Sequence, residues 1–248
     1  MIAIFKREMR AYFTTSTGYV FLAVALALSG IVFGASTLLM SSGDTGAYFS
    51  LMLFVLLIIL PILTMRSFSE ERRTKTEQLL LTAPITTTQM VLGKFLSALS
   101  MFLIALMLTC VNYIPLFAYA VDFKSGSSTH VNAMAPNVAL IVGNMIALVL
   151  VGMSFIAIGL FVSSLTENQF ASVVITMAIL LGLLLVGIFN SFIESYAIRT
   201  ILSWLSIYSR FTSFTYGIFD IGAIIYYFSI SGVFLFLAVR VFEARKYN

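Results

Sequence analysis

Apolar residues run almost unbroken through six stretches of the chain, about Gly18 to Met40, Tyr48 to Met65, Met90 to Ala120, Val138 to Val162, Phe170 to Phe189 and Ile221 to Val241. A helix needs about 20 apolar residues to cross the hydrocarbon core of a bilayer. Lipid offers the backbone no hydrogen-bond partner, so stretches of this length must satisfy their own amides as helices. The pattern therefore predicts an all-α membrane protein of six transmembrane helices, a single domain over residues 1–248 with no room for a sizeable soluble unit.

The segments between the spans differ in kind. In "MIAIFKREMRAYFTTSTG", Phe5, Met9, Tyr12 and Phe13 share one helical face while Lys6, Arg7 and Arg10 lie toward the other, which predicts an interfacial helix within residues 1–17. A disordered basic tail is the alternative. Glu8 and the length of the following apolar run argue against a cleaved signal peptide. "DFKSGSSTHVNAMAPN", between spans three and four, is polar and broken by Pro136, an exposed loop. Residues 191–221 are different: Ile198, Ile201, Leu202, Leu205 and Tyr208 recur at helical spacing. Trp204, Tyr208, Phe211 and Phe214 add an aromatic concentration suited to a membrane interface. Arg199 and Arg210 interrupt any further crossing, so short helices dipping into the outer leaflet are expected, or else an amphipathic helix lying flat on the bundle.

Composition agrees with the pattern: the chain is 60% hydrophobic and 10% charged, with a mean hydropathy of +1.06. The net charge of +4 reflects sidedness rather than nucleic-acid binding. With the N-terminus inside, eleven of the 14 basic residues fall on the inner side, and only Lys124, Arg199 and Arg210 fall outside. Six spans then place both termini in the cytoplasm. The single cysteine, Cys110, can form no intrachain disulfide.

Chemistry of its own is absent from the chain. His130 is the one histidine, and neither a metal-ligand cluster nor a hydrolase motif occurs, so no catalytic residue, metal or cofactor is expected here. The one Gly-Lys pair, Gly93-Lys94, fails as a phosphate-binding loop because Thr88 replaces the first glycine and Phe95 follows the lysine. Asp44, Glu194 and Asp220 lie near the outer ends of spans, so the span centres carry no coupling carboxylate. Asn112 and Asn144 either hydrogen-bond between helices or face a substrate path. Pro115 predicts a kink, and Gly30 and Gly34 predict close helix packing. If such a bundle transports, its energy comes from a partner.

Charge collects instead between Arg66 and Glu77, where seven of twelve residues are ionic. Ser67 and Glu70 form a capping-box pattern that starts a helix after span two. Glu71 with Lys75, and Arg73 with Glu77, are spaced to pair along it. Pro84 ends the segment, and Thr86 with Gln89 caps the third span. A helix over 66–86, tied between two spans, predicts docking to a cytoplasmic partner rather than a plain topogenic loop.

"SFSEERRTKTEQLLLTAPITTTQMVLGKFLSAL" resembles the region after the second span of ABC-2 type permeases. "SSLTENQ" at Ser163 to Gln169, "FTSFTYGIFDI" at Phe211 to Ile221 and "LFLAVRVFEARK" ending at Lys246 resemble the branch of gliding-motility-associated and copper-processing (nitrous oxide reductase maturation) permeases. The resemblance implies a permease subunit in a bacterial inner membrane that pairs with a second permease copy or paralogue and with cytoplasmic ABC ATPase subunits carrying ATP and Mg. It implies that residues 66–86 act as a coupling helix, with Glu70, Glu71, Arg72 and Arg73 at the ATPase interface and Leu79 and Leu80 packed nearby. It further implies a smaller contact from Thr166, Glu167 and Asn168, and re-entrant helices before span six. Membrane lipids and an accessory extracytoplasmic protein complete the expected partners. "FTYGIFDIGAIIYY" departs from the family in lacking charges after its aspartate. The expectation is an ATP-driven exporter; a membrane scaffold that moves nothing is the alternative.

Overall fold

The computed structural model describes residues 1–38, 45–75, 86–115, 117, 137–189 and 206–247, and every element among them is helical. α1 (Ile2–Thr14) and α8 (Ile207–Thr215) are short; α2 (Ser16–Phe33), α3 (Gly46–Thr64), α5 (Thr87–Thr109), α6 (Val138–Leu165), α7 (Gln169–Phe189) and α9 (Ile221–Tyr247) are the long ones, and α4 (Arg66–Arg73) follows α3. Six helical runs among the described residues are long and apolar enough to cross a membrane. They coincide with the six apolar stretches of the sequence.

α6 is the central post. It touches α3, α4, α5, α7, α8 and α9, and 78% of its apolar window is buried against 22% for α7 and for α9. Peripheral helices of a bundle immersed in lipid can stay apolar on their outer faces, because lipid is as apolar as the side chains it meets. Thus Phe170 and Val174 on α7 and Phe228 and Phe236 on α9 are exposed. Inside, aromatic rings fill the larger spaces: Phe33, Tyr48, Phe49 and Tyr113 form a continuous edge-and-stack cluster linking α2, α3 and the end of α5.

Local chemistry explains three departures from regular helix. α5 tightens into a 3-10 turn at Cys110–Asn112, just where Pro115 can neither donate to nor clear the carbonyl of Val111, four residues back. α2 loosens into a π-helix over Gly34–Leu38. Neither Gly30 nor Gly34 is closely packed among the described residues: a Cβ added at either would meet nothing within 4 Å there, so the described helices do not use this pair for close packing. At the other end of α2, Gly18 lies so close to the Tyr12 carbonyl that a Cβ would collide with it, and the chain can turn sharply out of α1.

α8 lies against the bundle along one face. Ile207, Phe211 and Phe214 are buried, and α8 packs on α6, α7 and α3. Ser206 Oγ caps its start by accepting from Ser209 N at 3.0 Å. The Ile207 carbonyl accepts from Tyr227 Oη at 2.9 Å, and Tyr227 lies six residues into α9, about 9 Å along that helix. Arg210 stacks on the Tyr226 ring at 4.6 Å. Tyr208 is half-buried, and Trp204 lies outside the described residues.

Candidate functional site

The charged segment after α3 does not open with its own cap. Met65 carries helical dihedrals, so α4 nearly continues α3, and no side chain caps it locally. Ser67, assigned the capping role by pattern, is buried inside α4, and Glu70 turns to Arg66, which donates through Nε at 2.8 Å and Nη2 at 3.1 Å. The service comes from another helix: Ser163 Oγ on α6 accepts from Phe68 N and Ser69 N, each at 3.2 Å, and donates to Met65 O at 3.2 Å. These amides belong to the first turn of α4, where partners are scarcest. α4 ends at Arg73, and Lys75 follows at φ 58, a left-handed position that stops the helix ahead of the leucines. Glu77, Leu79, Leu80 and Pro84 lie outside the described residues. Thr86 caps α5 through Gln89 N at 3.3 Å, as its pattern predicts.

At the heart of this end of the bundle is a ring of four charges. Lys94 Nζ lies 2.8 Å from Glu71 and 3.3 Å from Glu8, and Arg7 closes the ring at 2.7 Å from Glu8 and 2.9 Å from Glu71. Lys94 is only 2% exposed, and each acid 17%. Its ammonium also donates to the Ser67 carbonyl and sits 4.9 Å from the centre of the Phe68 ring. A buried lysine is tolerable only when paired and hydrogen-bonded, and here every neighbour supplies one of those needs. Burial raises the Glu8 carboxyl, but Lys94 and then Arg7 outweigh it and hold the group below its ordinary value of 4.5. Burial pushes the neighbouring Tyr12 hydroxyl up to about 12.

The sequence supplies the fit for this ring in two adjacent letters. A Cβ at Gly93 would come within 3.1 Å of Ile4, so the glycine lets α1 lie against α5, and the next residue reaches the acids. Glu8 follows Ile4 by one turn on the same inward face of α1. Neither Glu8 nor Lys94 stands out by pattern, because the two lie 86 positions apart and ring formation has no period to detect.

A second set of contacts joins α4 to the turn between α6 and α7. Arg72 donates to Leu165 O at 2.9 Å and pairs with Glu167 at 2.9 Å. Thr166 Oγ1 bonds Val162 O at 3.1 Å and Asn168 Oδ1 accepts from Phe170 N at 3.0 Å, so these two shape the turn while Glu167 projects, 72% exposed. α9 reaches the same place: Arg245 donates to Ser164 O at 2.7 Å, and Phe242 packs on Phe68 at 4.7 Å between centroids. The structure thus brings Glu70 through Arg73 beside Thr166 through Asn168. Glu71 faces inward, Arg73 is exposed, and Glu70 and Arg72 are half-buried at the rim.

Asn112 and Asn144 lie elsewhere. Asn112 donates to Ser29 Oγ on α2 at 3.2 Å. Asn144 is buried and donates to Leu140 O of its own helix at 2.9 Å, while its Oδ1 has no partner among the described residues.

Six helical runs long and apolar enough to cross a membrane, with a cluster of paired charges at one end of the bundle, define a multi-pass membrane protein. The chain belongs to the ABC-2 family of transporter proteins, whose family model matches residues 15–242. It is accordingly a multi-pass permease subunit of an ABC transporter, a class that works with an ABC ATPase. No curated protein matches the chain as a relative.

Proposed function

We propose that this permease uses α4 and the turn at 166–168 as one docking surface for its cytoplasmic ATPase, and that nucleotide-driven closure of the ATPases drives export. The observation that carries this reading is the Arg72–Glu167 pair, which merges two segments 95 positions apart into a single platform. Arg73 and Glu167 are the charges it offers outward. The ionic ring and the Ser163 cap join that platform to α1, α5 and α6, and Phe242 joins it to α9. Movement of α4 is then passed to most of the bundle rather than to the two spans flanking it. In this reading the platform faces the cytoplasm, α8 is a re-entrant helix at the outer side, and a second permease copy or paralogue completes the pathway. The motifs ending α6 and α9 favour the gliding-motility and copper-processing branch.

The test is a charge reversal at both outward positions. Arg73→Glu with Glu167→Arg is expected to lower ATPase co-purification at least about tenfold while the permease stays inserted and thermally stable. Undiminished ATPase recovery and substrate-stimulated hydrolysis would sink the assignment.

A further inference from the structure

A cavity of about 600 Å³ opens beside the ionic ring, between α1, α2 and the α3–α4 junction. Its character changes along its length. At one end stand Arg7, Arg66 and the hydroxyl-bearing Tyr12 and Thr17; at the other, Val24 on α2 faces Ile59 and Ile62 on α3. Val24 lies eight residues into α2 and Ile59 seven before Arg66, so the apolar part extends about 10 Å into the span region, about two thirds of a lipid leaflet. Val20, Val24 and Ile62 are themselves exposed, so the slot opens sideways, toward lipid.

Charge at the mouth is unevenly available. Glu8 and Glu71 are turned to Lys94, and Glu70, 36% exposed, is held by Arg66, whereas Arg7 and Arg66 are 51% and 39% exposed. Arg66 gives Nε and Nη2 to Glu70, and Arg7 gives Nη2 to both acids of the ring. Each guanidinium keeps its Nη1 edge for another acceptor among the described residues, and a fork of this kind suits phosphate. An apolar slot with a lateral opening under a pair of arginines matches one class of molecule.

We propose that this cavity is a phospholipid site, with the phosphate between Arg7 and Arg66 and one acyl chain along Val24, Ile59 and Ile62. Bound there, the lipid packs α1 against α2 and α3 beside the ionic ring, whose Glu8, Glu71 and Lys94 line the same cavity.

Native mass spectrometry of the purified full chain, after detergent washing and titration with phosphatidylglycerol, tests it. One phospholipid per chain is expected to be retained by the wild type. Ile62→Trp, or Val24→Trp from the opposite wall, should abolish retention, while the lipid-free variants keep the thermal midpoint of lipid-free wild type in detergent. Arg66→Gln, outside the ionic ring, should weaken binding about tenfold. Equal retention by wild type and both tryptophan variants would overturn the site. Inorganic phosphate protecting as well as the lipid would make it a free-phosphate site, and diacylglycerol binding as tightly would remove the role of the arginines; either result refutes the proposal. So would cysteine cross-linking that shows Val24 covered by a second copy.

Discussion

Lys94 holds together three parts of the chain that sequence distance keeps apart. Replacing it with methionine leaves Glu8 and Glu71 facing each other with only Arg7 between them, a loss of about 3 kcal/mol by the usual cost of breaking a buried pair. Removing the acids as well, in Lys94→Met with Glu8→Gln and Glu71→Gln, should recover most of that stability in chemical denaturation, because an uncharged site of similar volume has little left to desolvate. Acid should act on the same ring. A carboxyl held below its ordinary value stabilises the fold fully above that value, here 4.5, and the contribution disappears as pH falls through the folded value. The wild-type advantage in thermal midpoint over Glu8→Gln is therefore expected to be constant above pH 4.5 and to shrink below it. Sequence reading used both residues for other ends: Glu8 as an argument against a signal peptide, Gly93-Lys94 as a phosphate loop that failed. Their types were visible, but their partnership exists only once α1 lies on α5.

The elements were the most legible part of the chain. Long apolar runs mark helices without help from tertiary contacts, since the bilayer forbids the alternatives, and Pro115 and the Thr86 cap act within a few residues of themselves. α4 was harder. Its composition suggested a free-standing helix with its own cap, whereas its first amides are met by Ser163, about 95 positions later. Ser163→Ala should therefore cost about 1–3 kcal/mol, the range for leaving a buried donor unmet, while Ser164→Ala, whose hydroxyl among the described residues bonds its own helix at Phe161 O, should cost less. Thermal unfolding of the two variants in one detergent compares them directly. Helical spacing and aromatics before α9 pointed to short helices dipping into the outer leaflet or to one lying flat on the bundle, and the Tyr227–Ile207 bond shows how α8 is held.

Over the whole molecule, α6 is the axis and α4 the junction: α4 touches α3, α6 and α7, and Lys94 and Phe242 add α5 and α9. A part held from so many sides moves as a body or not at all. Ile4→Cys with Gly93→Cys, in a Cys110→Ala background, places two sulfurs where the Cβ atoms lie about 3.1 Å apart, slightly closer than a relaxed disulfide prefers. If α1 travels with α5, oxidation of this pair should leave ATP-driven transport within about twofold of the reduced protein; a reversible loss of transport would mean that the two separate during the cycle.

The ring of four charges also imposes an order on synthesis. Arg7 and Glu8 leave the ribosome first, Glu71 follows after two spans, and Lys94 arrives only with the third. Until then two carboxylates share a single arginine, and like charges resist being brought into a dry site. α1 is therefore expected to settle on α4 only when the third span is in place. The third span brings the missing cation, and its insertion is the step expected to close this end of the bundle.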